Sequence, residues 1–600
     1  MFFEMMFGTD GYKLGHGPMK RKGTTETLAN LTPRTDKIYR RTCTAFYDGN
    51  LVWVGGEAAI QEIHENWENS FFRLPKGEVI ADYQEFTKGY LGRDIPAVEQ
   101  MAQLHDLGYL PLEFRGLPEG SLVPMGVPVM TIRNTHPDFE WLVNYHETPI
   151  SCMTWKTATA ATIAREYKAI CEHYLKATGC YDAFTLSVMC HDFSMRGMSG
   201  LEDAGRTGVG HLSSFIGTDS LLADRYVKRY YGCEGVVSIS VPATEHAVTS
   251  NNIISIENEM QACTYEYVSE EQRDIAAKMY KAGEESRLIA EVMFVYVLIT
   301  EIVPNGIVSN VSDTYDFWGM MSRGYPYLVD VIKRRPALGL APGKLVVRPD
   351  SGVPEDVICG ITIRKADSVD DAAEMLDNTF RSEQEHGEQG PDDTSEIFEI
   401  DGKFVEVVCS YEWNRHDKQF YYIDGMDYHV ANEDVQLTPE QKGAIRILWE
   451  TFGGTITETG HKLLDPCIGL IYGDSITTKR AEEILRRLEE NGFAAANVVF
   501  GVGSYTYNCL SRDVFGFAVK ATNNVINGVD VAIFKEPKTD SKKKSAKGRL
   551  VVYEGHEGLR LVDQAPETLV KDKDNKLEIF RVDGVVKRKT SFDTIRERLA

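Results

Sequence analysis

The stretch CIGLIYGDSITTKRAEEILRRLEENGFAAANVVFGVGS, residues 467–504, decides the fold. An apolar run of strand length ends in the polar cluster GDS. A helix-like segment follows, in which Ile476, Ile484, Leu485 and Leu488 fall on one stripe and Ser475 is placed to cap the first turn. A second apolar run, NVVF, then ends in GVGS. Strand, helix and strand in that order predict a parallel β/α unit.

The same pattern recurs upstream. Apolar runs end in polar, glycine-bearing clusters at FTLSVMC–HDFSMRG (184–197), HLSSFI–GTDS (211–220), VVSISV–PATEH (236–246), GIVSNV–SDTYD (306–316) and KLVVR–PDSG (344–352). With the two units above, seven repeats approach a complete β/α barrel. In such barrels the chemistry sits on the loops after the strand C-termini, where every one of these clusters lies.

Composition agrees with a large folded core. The chain has 600 residues, 43% hydrophobic and 26% charged, a globular rather than a disordered profile. A formal net charge of −24 argues against nucleic acid and anionic membrane as partners, though not against an anionic small substrate held in a locally basic site. Eleven cysteines, with no C-x-x-C pair, speak against a disulfide framework or a zinc site and for a reducing compartment. MFFEMMFGTD at the N-terminus carries Glu4 and no basic leader, so it does not read as a signal peptide. The longest apolar run, Leu288 to Thr300, is interrupted by Glu291 and is too short to span a bilayer. The expectation is a cytoplasmic protein.

Other segments read as accessory. Residues 366–401 hold thirteen acids against one base, Arg381, the composition of a solvated loop or excursion. Residues 402–436 carry strand-like pieces that suit a small hairpin appendage, and 265–290 reads as an exposed amphipathic helix. Residues 535–549 concentrate seven bases, either a solvated loop or one that faces phosphate.

RPDSG (348–352) sets a cation and a carboxylate two apart at a strand end. Asp350 there suits ribose hydroxyls or a Mg²⁺ ion, and Arg348 suits an anion or a carbonyl. GDS (473–475) combines a small residue for close approach, an acid for hydroxyls and a helix start for phosphate. GVGS (501–504) offers backbone N–H groups to an anion. Each motif is weak alone; on successive units of one barrel they point to a phosphate-and-sugar site.

TDGYK (9–13), HDFSMRG (191–197), GTD (217–219), SVPATEH (240–246), VSDTYD (311–316), RPDSG, GD (473–474) and SRD (511–513) occur in the order found in the nicotinate/nicotinamide phosphoribosyltransferase family, and within it the chain most resembles the nicotinamide enzymes. The resemblance spans nearly the whole chain except 265–290 and 366–436. It implies an α/β fold, an irregular β/α barrel with a second β-rich domain built from both chain ends. The barrel core would occupy 151–515, and 1–150 and 516–600 would supply the β-rich domain. It also implies a homodimer with shared active sites, the substrates nicotinamide and phosphoribosyl pyrophosphate, Mg²⁺, and ATP as co-substrate.

The site residues carry over by motif. Phe193 resembles the ring that stacks on nicotinamide, with Tyr12 of the partner protomer on the other face. Asp219 resembles the acceptor for the carboxamide N–H₂. A carboxylate there would repel nicotinate by about 1 kcal/mol in water at ~4 Å, and about 4 at an effective dielectric of 20. Arg348 would reach the amide oxygen, Arg196 would flank the phosphates, and Ser240 and Ser309 would line the pocket or its tunnel. Asp350 resembles the group near the ribose and the pyridine nitrogen. Gly473, Asp474, Gly503 and Ser504 fall at the 5′-phosphate and ribose, although Ser504 and Tyr505 replace glycine there, Met195 replaces an aromatic and Ala518 a serine. Arg34, Arg512, Lys520 and Lys535 resemble cations that reach the phosphates across the interface.

His246 resembles the histidine that ATP phosphorylates, an imidazole being a competent phosphoryl acceptor. Glu245 and Asp313 are candidates to orient it. The competing readings are a nicotinate phosphoribosyltransferase, which Asp219 disfavours, and a non-catalytic nucleotide-binding protein on the same fold, which the intact set His246, Asp350, Asp474 and Arg512 disfavours.

Overall fold

The computed structural model describes residues 4–383, 393–414, 419–422, 427–534, 546–556 and 558–600. Its centre is a six-stranded sheet in the order Gly217–Thr218, Cys190–Asp192, Val498–Val502, Ile468–Tyr472, Lys344–Arg348 and Ile307–Val311. Every neighbouring pair is parallel. Ile239 bridges Gly217 at one edge and Ala243 bridges Ser309 at the other, both in parallel sense. Residues 239–243 therefore join the two edges and curl the sheet into an irregular barrel. All five residues of Ile468–Tyr472 are buried, as a strand covered on both faces requires.

The decisive stretch folds as expected, with a shifted boundary. Its helix is Thr478–Glu490, and Ala481, Ile484, Leu485 and Leu488 are its buried stripe. The cap is Thr477, whose side chain accepts from Arg480 N, not Ser475. Ser475 instead takes a left-handed conformation, φ 51°, which turns the chain between strand and helix.

Three of the seven apolar runs differ from the strand expectation. Residues 183–188 form a helix, Ala183–Val188, because Asp182 caps it by accepting from Thr185 N; the strand is only Cys190–Asp192. HLSSFI begins in the last turn of the helix Leu201–Leu212, and its strand shrinks to Gly217–Thr218. That helix crosses the helix Glu147–Ala177 closely: a Cβ at Gly210 would lie 2.6 Å from Thr157 O and 2.7 Å from Ala161 N. Packing thus outweighs the intrinsic strand preference of the run. VVSISV contributes the isolated Ile239 bridge rather than a ladder.

A second sheet has seven strands, in the order Val529–Ala532, Ala518–Ile526, Thr24–Thr32, Met130–Asn134, Leu112–Gly116, Glu578–Val582 and Val585–Val586. All of its pairings are antiparallel, and three strands from the first part of the chain lie between two pairs from its last part. The described parts of the acidic stretch form regular elements rather than the loop its composition suggests. It holds the helix Val369–Glu383 and the strand Asp393–Ile400, which pairs with Lys403–Asn414. Ala372, Leu376, Phe380, Phe398, Val405 and Val407 form a separate small core there, because the acids fall on the outward positions of an amphipathic pattern. Residues 265–290 include the helix Glu270–Ala282, which buries Ile275, Ala276 and Met279. No described helix is long and apolar enough to cross a membrane.

Candidate active site

The parallel strands deliver the expected polar residues to one end of the barrel. Phe193 follows Cys190–Asp192, Asp219 follows Gly217–Thr218, Asp313 follows Ile307–Val311, Arg348 ends its strand with Asp350 just beyond, and Gly473 with Asp474 follows Ile468–Tyr472. The C-terminal strand ends of a β/α barrel are where catalytic groups gather.

Glycines shape the space around Phe193. A Cβ on Gly501 would meet Phe193 Cδ2 at 2.5 Å and Gly473 Cα at 2.6 Å, and one on Gly473 would meet the same ring at 3.4 Å. The ring rests against bare backbone of two adjacent strands. Its neighbour His191 lies 4.8 Å away, centroid to centroid.

Asp219 is held by two donors. His191 Nε2 donates to Asp219 Oδ1 at 2.9 Å, and Ser240 Oγ donates to the same oxygen at 2.5 Å. Burial raises its carboxyl pKa, but hydrogen bonds from His191 and Ser240 and the nearby Arg348 charge outweigh that, so the net shift is downward. Asp219 is thus an ionised acceptor at neutral pH. Arg348 Nη2 donates to Thr244 O at 2.9 Å, while its buried Nε and the buried Ser309 Oγ have no hydrogen-bond partner among the described residues. Both atoms are available to a bound polar group.

His246 is the first residue of the helix His246–Gln261. Its Nδ1 lies 3.2 Å from Thr314 Oγ1, and its Nε2 lies 3.6 Å from Asp313 Oδ1 and 3.8 Å from Asp350 Oδ2. Asp313 is nearly buried, and its Oδ2 accepts from Asp350 N at 2.8 Å and Ser351 Oγ at 2.7 Å. Asp313, not Glu245, therefore faces the ring; Glu245 is exposed and serves as the helix N-cap through its backbone alone.

The loop bearing Arg196 is tied to the segment after Gly503. Asn508 Nδ2 donates to Gly197 O at 2.9 Å, and Lys156 Nζ donates to Asn508 Oδ1 at 2.6 Å and Asp203 Oδ2 at 2.5 Å. A Cβ on Gly197 would overlap Ser504 Oγ at 2.1 Å, so the glycine lets the two loops approach closely. Arg196 is exposed beside this junction.

Among the described residues, Tyr12 and the remaining predicted cations have partners of their own or are exposed. Tyr12 is 67% exposed in the turn Gly11–Gly15, and no ring contact joins it to Phe193 among the described residues. Lys520 reaches Glu147 at 3.4 Å, and the neighbouring Lys13 pairs with the same carboxylate at 2.6 Å. Arg34 Nε donates to Gly516 O at 2.7 Å, and Arg512 is exposed at Arg512–Val514. Lys535 lies outside the described residues.

The description of the matching family model is the nicotinate phosphoribosyltransferase (NAPRTase) family, over residues 188–387 and 411–578. The chain belongs to that family. It is similar to a nicotinamide phosphoribosyltransferase of Acinetobacter baylyi, 40% identical over 98% of this chain and 96% of that one. A nicotinamide phosphoribosyltransferase of Mycoplasma pneumoniae is 30% identical over 70% of this chain and 67% of its own length. Among solved structures, human nicotinic acid phosphoribosyltransferase aligns over 98% of this chain and 92% of that one, with TM-score 0.50 and 15% identity, a likeness of fold.

Two contacts of this nicotinate phosphoribosyltransferase family member escape a reading of motifs. Thr314 sits inside VSDTYD, beside the aspartate that draws attention. His191 opens HDFSMRG two residues before the aromatic, and strand alternation puts both on one face; that periodicity was the available signal.

Proposed function

We propose that this chain is a nicotinamide phosphoribosyltransferase, which joins nicotinamide to phosphoribosyl pyrophosphate to give nicotinamide mononucleotide and pyrophosphate. The observation that carries the choice of base is Asp219, held ionised at the barrel mouth by His191 and Ser240. A fixed carboxylate accepts a carboxamide N–H and repels a carboxylate. The names of the relatives from Acinetobacter baylyi and Mycoplasma pneumoniae support the same base.

In the proposed reaction nicotinamide lies on Phe193, with its amide between Asp219 and Arg348. The C1′–oxygen bond breaks and its electron pair leaves with pyrophosphate. The pyridine nitrogen then bonds C1′, which carries oxocarbenium character as the bonds exchange. Asp350 and Asp474 hold the ribose, and cationic side chains stabilise the leaving group. Catalysis is mainly positioning and charge stabilisation.

Mg²⁺ fits the donor set in a limited way. No group of three or more potential ligands gathers among the described residues, so Asp350, 40% exposed in its side chain, would hold the ion together with substrate oxygens, as is usual for Mg²⁺. Its contribution there is to neutralise charge on the leaving pyrophosphate.

ATP would act at His246. The imidazole is half-exposed at a helix N-terminus, a favourable place for a transferred phosphoryl group. Tyr12, Arg34, Arg512 and Lys520 are exposed, which suits a homodimer in which one protomer completes the other's site. All eleven cysteines are free thiols, which suits the cytoplasm. The test is a side-by-side assay of nicotinamide and nicotinate at saturating phosphoribosyl pyrophosphate and Mg²⁺. The proposal expects nicotinamide to be much the better substrate, and equal or preferred use of nicotinate would contradict it.

A further inference from the structure

We infer that His191 is a specificity-positioning residue, which locks Asp219 so that a single carboxylate oxygen faces the base and nicotinamide is chosen over nicotinate. The inference rests on the nicotinamide reading above and goes beyond it by naming the group that makes Asp219 selective.

The geometry begins with Gly217. In the parallel register His191 lies opposite Gly217, and a Cβ at Gly217 would stand 2.8 Å from His191 Nδ1. Only a residue without a side chain lets the imidazole lie across the neighbouring strand. Lying there, it directs Nε2 to Asp219 Oδ1 at 2.9 Å. Ser240 Oγ, from the segment that joins the barrel edges, reaches the same oxygen at 2.5 Å. Oδ1 is thereby occupied twice, and Oδ2 has no hydrogen-bond partner among the described residues. The His191 side chain is 13% exposed and that of Asp219 is 46% exposed, so the imidazole forms the wall and the carboxylate faces outward from it.

A lock is needed because the Asp219 side chain is 46% exposed and its carboxylate can otherwise turn about its side-chain bonds. Released from His191, Asp219 can swing away from the base. The amide then loses its acceptor, and the repulsion that excludes nicotinate is relieved. Both effects narrow the difference between the bases, and specificity is that difference. The contact between the His191 and Phe193 rings, 4.8 Å between centroids, couples the lock to the stacking platform.

The experiment compares wild type, His191→Ala, His191→Gln and Ser240→Ala as full-length proteins. It measures kcat/KM for nicotinamide and for nicotinate, and KM for phosphoribosyl pyrophosphate. His191→Ala is expected to lower the nicotinamide-to-nicotinate ratio by on the order of tenfold, the scale of one hydrogen bond to a charged group. The loss should fall on KM for nicotinamide and leave KM for phosphoribosyl pyrophosphate unchanged. His191→Gln, whose Nε2 can donate from a similar position, should recover most of the ratio. Ser240→Ala should lower it in the same direction, and it carries the test if His191→Ala does not fold. An unchanged ratio in both alanine variants of an active enzyme overturns this inference alone. So does a glutamine variant as impaired as the alanine, since the imidazole would then act by ring contact. A wild type that uses neither base overturns the nicotinamide reading and this inference with it.

Discussion

His246 and Asp313 face each other at the barrel mouth, Nε2 to Oδ1 at 3.6 Å, with Asp350 Oδ2 at 3.8 Å from the same nitrogen. Asp313 Oδ1 is buried and has no hydrogen-bond partner among the described residues. A nearly buried carboxylate beside a half-exposed imidazole at a helix start can orient the ring. Catalytic contacts are often longer in the unliganded enzyme than in the working complex.

From this pair we expect ATP to act through His246. In His246→Ala the rates of nucleotide formation with and without ATP should become equal, and transfer of labelled γ-phosphate to the protein should vanish. A rate that ATP still raises in the variant would place the coupling elsewhere.

Asp219 should govern nicotinamide and not the sugar donor. Asp219→Ala should lower kcat/KM for nicotinamide by roughly 10- to 100-fold, the scale of a charged hydrogen bond, with KM for phosphoribosyl pyrophosphate unchanged. The pH response follows from the lowered carboxyl pKa. Binding that needs the ionised form is complete above the group's folded-state pKa and is lost as pH falls through it. KM for nicotinamide should therefore stay flat on acidification to pH 5, well above the ordinary aspartate range. A rise between pH 7 and 5 that is absent in Asp219→Ala would show that the carboxyl titrates there instead.

Gly501→Ala should damage the base platform and the strand end beside it together. The added methyl would meet Phe193 at 2.5 Å and Gly473 Cα at 2.6 Å, so the ring or the strand end must shift. We expect KM for nicotinamide to rise by on the order of tenfold, since a small misplacement at a site can cost two orders in rate, and the melting temperature to fall, because the clash with Gly473 is with backbone. Unchanged nicotinamide kinetics would show that Phe193 has room to move.

Glu291 should make stability pH-dependent. This carboxyl is 2% exposed in the helix Ser286–Val297, and burial first, then the charges of Asp316 and Asp313, raises its pKa to about 8. A carboxyl raised on folding is protonated in the native state and ionised in the unfolded one between about pH 4.5 and about 8. Its contribution is intact below the unfolded pKa and is lost as pH rises across that window, by at most about 1.4 kcal/mol per pH unit. Glu291→Gln should therefore melt higher than wild type at pH 8 and nearly level with it at pH 4.5. A difference that does not change with pH would contradict this.

The parallel units were legible because Ile468–Tyr472 and Val498–Val502 are short, fully apolar and followed by glycine-bearing turns. Residues 184–189 and 211–216 were not, since a short buried apolar run has the same composition in a helix as in a strand, and the Asp182 cap and the Gly210 crossing decide between them. In 366–401 the acids drew attention away from Ala372, Leu376 and Phe380, spaced for one helical face. At the site, Phe193, Asp219, His246 and Asp350 stand out by residue type and motif. His191 and Thr314 do not, because their roles arise from strand register and from a loop that folds back on the helix start.

The most direct measurement incubates the purified chain with nicotinamide, phosphoribosyl pyrophosphate and Mg²⁺, with and without ATP, and identifies the product by mass. The account predicts nicotinamide mononucleotide and pyrophosphate in equal amounts, formed faster with ATP. Absence of nicotinamide mononucleotide under both conditions would contradict it.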